Sequence, residues 1–144
     1  MAGPAADQRQ RVLEGNRRFY EALTQMSDTA MDEVWLHEDW VRCVHPGWPQ
    51  VEGWDAVRQS FTQIFENTDS LRITISQVSV HLKEAMAWVS CIEKIASASP
   101  GRIDTVYVQA TNLFVLQDSR WQMVLHHASH LPEEVHPTEA ERVN

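Results

Sequence analysis

His45 is the residue of this sequence best suited to moving a proton near neutral pH. It ends a strand-like run and precedes Pro46-Gly47, a pair that stops strands. An imidazole at this position could act as a base at the mouth of a cavity, because its ordinary pKa lies close to physiological pH. A capping histidine that hydrogen-bonds the loop backbone explains the same residue equally well, so both interpretations stay open.

Asn112 and His127 are polar residues within two strand-like, mostly apolar segments. If both point into the protein interior, the amide and the imidazole can together bind or polarise a substrate carbonyl group. The predicted catalytic set is therefore His45, Asn112 and His127. The alternative is a buried polar pair in which Asn112 and His127 satisfy each other across two strands.

His126, His127 and His130 are close enough in sequence to suggest a metal site. Adjacent side chains of a strand point to opposite faces, so His126 and His127 cannot bind one ion without a bulge. No acidic residue lies among them. We therefore predict no metal, and the lack of a glycine-rich nucleotide-binding loop predicts no cofactor.

The composition is typical of one globular domain with an acidic charge. Of 144 residues, 43% are hydrophobic and 22% are charged, and about 150 residues is the usual domain length. The formal net charge of −8 would repel nucleic acid and anionic membranes. Two isolated cysteines and an N-terminus without an apolar signal segment lead us to expect a reduced, cytoplasmic protein.

Apolar residues recur at helical spacing in three segments of the first half of the chain. These predicted helices are Asp7–Leu23, a short helix capped by Ser27 or Asp28, and Gly53–Phe65. A short strand, Trp40–His45, is predicted before the third helix.

After Asn67 the apolar residues alternate with a period of two, which predicts strands. The predicted strands are Leu71–Leu82, Ala85–Ala96, Ile103–Leu116 and Trp121–His130. Their connections are short, so neighbouring strands should form antiparallel hairpins. Helices followed by such a meander predict an α+β fold, with the helices packed on one face of a curved antiparallel sheet.

The last hairpin allows a prediction of register. With a two-residue turn at Asp118-Ser119, Asn112 faces Leu125, and opposed residues share a sheet face. The face that carries Asn112 and His127 is the more apolar one, so we expect it to lie beneath the helices. A slip of one residue would turn His126 inward instead.

Five short segments between Val12 and Leu131 carry a family resemblance. They read RFYEAL from Arg18, CVHPGWP from Cys43, GWDAV from Gly53, AWV from Ala87 and WQMVLHHAS from Trp121. Their order, with three helices before a long meander, resembles the SnoaL-like branch of the nuclear transport factor 2 and ketosteroid isomerase superfamily.

This resemblance implies a cone-shaped half-barrel of the cystatin-like type, with an apolar cavity at its wide end. It also implies a homodimer formed through the outer face of the sheet. The predicted SnoaL-like domain covers residues 1–131, and residues 132–144, which are charged and carry two prolines, are predicted to form a flexible tail. The superfamily holds enzymes and non-catalytic domains, so the resemblance does not name a reaction.

The site positions of ketosteroid isomerases transfer only in part. Their aspartate base precedes a proline after the first strand, where this chain has His45. Their oxyanion-hole tyrosine matches Phe19 or Tyr20, and alignment on Ala22-Leu23 favours Phe19. Their protonated aspartic acid falls near Asn112, whose amide donates hydrogen bonds at any pH.

A set of ligand-binding residues completes the predicted site: Tyr20, Trp48, Glu93, Phe114 and His126. Trp48 would form an aromatic rim of the cavity. Glu93 shares the interior face if Ala96 opposes Ile103, and is otherwise a solvated strand residue.

Two functional hypotheses follow from these residues. The first is a cofactor-free acid/base enzyme of the isomerase, cyclase or dehydratase type, acting on a small hydrophobic carbonyl compound. The second is a non-catalytic dimeric module for ligand binding or assembly. In that module the side chains of Phe114, Trp121 and Met123 would fill the cavity.

Overall fold

Two helices, two short strands, a third helix and four long strands follow one another along residues 4–132, the part of the chain that this computed structural model describes. The helices are α1 (Pro4–Gln25), α2 (Asp28–Val34) and α3 (Trp54–Glu66). The strands are β1 (Arg42–Val44), β2 (Val51–Glu52), β3 (Ser70–Lys83), β4 (Met86–Ser99), β5 (Arg102–Gln117) and β6 (Arg120–His130). Apart from residue 132, the predicted tail lies outside the described residues.

Helix α1 forms because apolar residues return to one of its faces every three or four positions. Val12, Phe19 and Leu23 are buried on this face, which confirms the predicted amphipathic helix. Asn16 lies on the same stripe and is only 1% exposed. The helix therefore carries an amide group into the interior of the protein.

Local signals explain where the two shorter helices begin. The Ser27 hydroxyl oxygen accepts a hydrogen bond from the backbone N–H of Ala30 at 3.1 Å, so Ser27 is the cap of α2. Helix α3 follows Gly53, whose φ of +85° is a conformation that glycine adopts readily.

The six strands form one sheet in the order β2-β1-β6-β5-β4-β3. The hairpins β3–β4, β4–β5 and β5–β6 are antiparallel, as predicted. Strand β1 is shorter than the predicted Trp40–His45 segment, and it pairs in parallel with β6. The pattern does not predict this pairing or β2, because two or three residues show no periodicity.

A bulge in the β5–β6 hairpin corrects the predicted register. The turn at Asp118-Ser119 places Phe114 opposite Met123, as a two-residue connection requires. The register then shifts by one, so Asn112 pairs with His126 instead of Leu125. The prediction that His127 points inward is therefore wrong: His126 is buried, and His127 is exposed on the other face.

The core lies between the helices and the inner face of the sheet. Its large, fully buried side chains include Phe19, Trp35, Phe61, Phe114 and Met123. The outer face instead exposes about two fifths of Met86 and Trp88. No helix within residues 4–132 is long and apolar enough to cross a membrane.

Candidate functional site

The interior holds a buried carboxyl group next to a buried phenol. Glu93, on the inner face of β4, is 1% exposed, and its Oε2 accepts a hydrogen bond from the Tyr20 hydroxyl at 2.6 Å. Ala96 opposes Thr105 instead of Ile103, but a shift of two residues keeps Glu93 on the interior face. Helix α1 and strand β4 together position this pair.

Asn112 on β5 links the pair to the rest of the interior. Its Nδ2 donates to Asn16 Oδ1 at 2.8 Å and to the Tyr20 hydroxyl oxygen at 3.0 Å. Its Oδ1 lies 2.6 Å from His126 Nδ1. Both N–H groups and the carbonyl oxygen of this fully buried amide therefore have partners.

The bond to Asn112 determines which nitrogen of His126 carries the proton. Asn112 Oδ1 can only accept, so Nδ1 of His126 is the protonated nitrogen. Its Nε2 is left with a lone pair, 4.0 Å from Glu93 Oε2. The ring of Phe19 covers the imidazole at a centroid distance of 4.7 Å.

Burial controls the protonation of these groups. It raises the pKa of Glu93 from 4.5 to about 7, while the Tyr20 hydrogen bond pulls in the other direction. It lowers the pKa of His126 from 6.5 to about 3, with smaller effects from His45 and His127. At neutral pH, Glu93 can therefore either accept or release a proton, and His126 is uncharged.

His45 occupies the same face through β1. Its neighbour Cys43 lies opposite His126 in the parallel β1–β6 pair. His45 Nε2 lies 2.8 Å from the Ser60 hydroxyl oxygen, whose own proton goes to the Val57 carbonyl at 2.6 Å. Nε2 therefore donates, and Nδ1 is the basic nitrogen.

The environment of His45 combines features of both sequence interpretations. Burial lowers its pKa from 6.5 to about 4, as expected for an imidazole removed from water. The ring packs edge-on against Trp48 at 4.8 Å, and the His45 carbonyl accepts the Trp48 backbone N–H at 2.9 Å. His45 thus closes the Pro-Gly-Trp-Pro loop and also faces the interior.

Two predicted residues lie away from this cluster. His127 is exposed on the outer face, opposite in direction to His126. Phe114 is fully buried beneath α1, where a Cβ on Gly15 would lie 3.4 Å from its ring. It fills the core there along with Met123, while Trp121 is half-buried and donates its indole N–H to Gln8.

Three interior residues are missing from the predicted site: Asn16, Ser60 and Cys91. Cys91 lies 3.3 Å from the Tyr20 hydroxyl, and the other two hold Asn112 and His45. The sequence does contain a sign of the role of Asn16, because a polar residue on an otherwise apolar helical stripe must find a hydrogen-bond partner in the interior. Cys91 and Ser60 have side chains that also serve as core filler, so their type carries little information.

A surface pocket of about 280 Å³ lies beside the buried pair. It lies between α1 and β3 and includes Tyr20, Ile73 and Ile75. Ile75 is directly opposite Glu93 in the β3–β4 pairing. Tyr20 lines this pocket and also binds Glu93, whereas Glu93 itself does not line it.

The sequence profile of the SnoaL-like domain family matches residues 12–133. The chain belongs to this family. Three helices on a curved, open and mostly antiparallel sheet are the fold of the wider nuclear transport factor 2-like superfamily. In this SnoaL-like chain, Tyr20 and not Phe19 brings a hydroxyl group to Asn112.

Two similar solved structures carry descriptions of different kinds. A proposed dehydratase of the nuclear transport factor 2-like family from Streptomyces avermitilis is 31% identical, with a TM-score of 0.83 over 90% of this chain and 99% of that one. A proposed calcium/calmodulin-dependent protein kinase type II association domain from Thiobacillus denitrificans is 26% identical, with a TM-score of 0.73 over 82% of this chain and 93% of that one.

A plant relative is longer than this chain. F-box protein SKIP8 of Arabidopsis thaliana is 26% identical over 118 residues, which are 82% of this SnoaL-like chain. The match spans 48% of the plant protein, so the chain covers about half the length of that relative.

Proposed function

We propose that this SnoaL-like protein is a cofactor-free acid/base enzyme of the dehydratase or isomerase type, acting on a small hydrophobic carbonyl compound. The observation that carries the proposal is Glu93, a carboxyl group buried beside Tyr20, with a pKa near 7 and 4.0 Å from the lone pair of His126. A perturbed carboxyl group with such neighbours suits proton transfer at neutral pH.

The proposed reaction begins with the ionised form of Glu93. Its carboxylate removes a proton from the carbon next to the carbonyl, and the electron pair of the broken C–H bond forms an enolate. Protonated Glu93 is a weaker acceptor than the carboxylate, so its hydrogen bond from Tyr20 weakens. The Tyr20 hydroxyl can then donate to the enolate oxygen instead.

The proton on Glu93 then determines the product. If Glu93 returns the proton to a different carbon of the enolate, the product is an isomer of the substrate. Given to a hydroxyl group on the β-carbon, it leaves with that group as water, and the remaining electron pair forms a carbon–carbon double bond. His126 Nε2 can accept a hydrogen bond from that hydroxyl group, because it carries no proton.

The substrate class follows from the pocket between α1 and β3. Ile73, Ile75 and Tyr20 supply apolar surface. The polar side chains of this pocket are Arg17, Glu21, Thr24 and Gln25. A volume of about 280 Å³ suits a small ring or short chain. The likeness to the proposed dehydratase at 31% identity supports this type of reaction.

The experiment that tests the proposal measures exchange of the α-hydrogen of small cyclic ketones and β-hydroxyketones in D₂O, together with loss of water. We expect exchange with the wild-type protein and a loss of at least about 100-fold in Glu93→Gln, the lower range of general-base contributions. Glu84→Gln, in the exposed β3–β4 turn, is the matched control and should exchange like the wild type. Equal exchange in Glu93→Gln and the wild type would remove Glu93 from the reaction.

A second candidate is a non-catalytic dimeric module for ligand binding or assembly. Phe114 and Met123 fill the core beneath α1, and Met86 and Trp88 are exposed on the outer face of the sheet. The likeness to the proposed association domain from Thiobacillus denitrificans supports this alternative. It would be favoured if no ketone exchanged while an apolar compound still bound.

A further inference from the structure

We propose that Asn16 is a positioning residue: by accepting a hydrogen bond from Asn112, it holds the Asn112 amide so that His126 keeps its Nε2 lone pair directed at Glu93. The chemical use of that lone pair rests on the proposed function, whereas the hydrogen-bond arrangement itself does not. Nothing in the family match or the relatives assigns a role to this residue.

The burial of Asn16 requires such a role. A primary amide that is 1% exposed on an apolar helical face loses its bonds to water and must regain them inside. Its Oδ1 meets Asn112 Nδ2 at 2.8 Å, across 96 positions of sequence. Val12, one turn earlier on the same face, is fully buried without any polar contact.

The direction of each hydrogen bond follows from the ionised carboxylate. Ionised Glu93 can only accept, so Tyr20 must donate its single proton to it. The Tyr20 oxygen then accepts from the Asn112 N–H, which turns the amide nitrogen of Asn112 toward α1.

Asn16 completes this arrangement by accepting the second N–H of Asn112. If Asn112 alone were reversed, its carbonyl oxygen would face the acceptor oxygens of both Tyr20 and Asn16 at hydrogen-bond distance, and acceptors repel each other. Its NH₂ group would then face His126 Nδ1, and the imidazole proton would move to Nε2. The lone pair near Glu93 would be lost.

The closest test is the tautomer of His126, read from long-range ¹H–¹⁵N spectra of the full chain with labelled histidine at pH 8. His126→Gln identifies the resonance. In the wild type we expect a protonated Nδ1 and an unprotonated Nε2. A wild-type His126 with its proton on Nε2 would overturn the proposal without any variant.

Two substitutions at Asn16 separate the acceptor from mere packing. Asn16→Leu keeps the number and branching of the side-chain heavy atoms but removes the acceptor. Tyr20 alone then holds the Asn112 amide, so we expect a second, Nε2-protonated tautomer of His126 to appear beside the first. Asn16→Asp keeps an acceptor and should retain the proton on Nδ1. Val12→Ala, which destabilises the same helix face without touching the hydrogen bonds, should also leave the tautomer unchanged.

Activity provides an independent readout. If the protein turns over a ketone, Asn16→Leu should lower kcat by about tenfold at nearly constant KM, the lower end of what loss of a group behind a functional histidine costs. A single, wild-type tautomer in Asn16→Leu would overturn the role of Asn16. Absence of turnover in the wild type would instead count against the proposed function and leave the tautomer result standing.

Discussion

Glu93 reaches the interior because residue 93 of β4 lies on the face that α1 covers. Its partners are a phenol and a neutral imidazole, and no Lys or Arg among residues 4–132 lies within ion-pair distance. Burial therefore dominates, and the pKa rises from 4.5 to about 7. The folded state binds this proton more tightly than the unfolded state over that interval.

This difference gives the first prediction at the residue scale. The stability contributed by protonated Glu93 is present below pH 4.5 and is lost as the pH rises toward 7. Glu93→Gln has no such proton. From pH 5 to pH 7.5, the free energy of unfolding of the wild type should fall by about 2 kcal/mol relative to Glu93→Gln. Urea unfolding at both pH values measures it, and parallel curves would contradict the raised pKa.

His45 gives the opposite sign. Its folded pKa of about 4 lies below its ordinary 6.5, so neutral His45 favours folding, and this stability is lost as the pH falls from 6.5 toward 4. From pH 7 to pH 5 the wild type should lose about 2 kcal/mol that His45→Ala does not lose. Melting curves at the two pH values check this difference.

The same variant tests the two interpretations of His45. A purely structural cap predicts a loss of about 1–3 kcal/mol at pH 7, since Ser60 loses its buried partner, with ligand affinity unchanged. A catalytic base predicts loss of ketone exchange beyond what the stability change explains. Full exchange by folded His45→Ala would remove it from catalysis.

The sequence predicts most individual residues of the site but not their contacts. The burial of Asn112 follows from its position among alternating apolar residues. The place of His45 at the end of a strand follows from the Pro-Gly pair after it. Asn16 is missed because a search for reactive residue types passes over an amide on a helix. The contacts join α1 to β4, β5 and β6, and no local pattern encodes them.

At the scale of elements, the bulge in the β5–β6 hairpin decides which histidine enters the interior. The two-residue turn correctly predicts the pairing of the hairpin from the turn to Phe114 and Met123. Beyond the bulge one residue of β6 is extra, and every later side chain changes face. Periodicity alone could not predict this, because Leu125 and His126 both suit a half-buried strand.

The cap of α2 gives a prediction at this scale. Ser27→Ala removes the acceptor for the Ala30 N–H and should lower the free energy of unfolding by about 1 kcal/mol. Thr29→Ala, an exposed residue one position into the helix, is the matched loss of a hydroxyl group and should change stability little. Chemical denaturation compares the two. Equal losses would show that the cap contributes nothing specific.

At the scale of the whole molecule, none of the three helices within residues 4–132 covers the outer face of the sheet. Trp88 packs against the tilted ring of His81 there and stays 37% exposed. We predict a homodimer through this face, because apolar side chains on an uncovered sheet favour association. Light scattering should give twice the chain mass of 16.6 kDa at micromolar concentration.

A substitution on this face tests the same dimer. Trp88→Glu should shift the mass toward 16.6 kDa without changing the melting behaviour of the monomer. Asp55→Lys, an exposed charge change on α3 away from the sheet, should leave the mass unchanged. A wild-type mass of 16.6 kDa would contradict the dimer.

The three-residue pairing of β1 with β6 also has a consequence for the order of folding. It joins Cys43 to His126, residues about 80 positions apart, while the hairpins of β3 to β6 join near neighbours. Closing the longer loop costs more chain entropy and offers few contacts in return. During synthesis on a ribosome, β1 can pair with the sheet only after β6 has emerged. We therefore expect His45, which follows β1, to reach its place beside His126 late in folding.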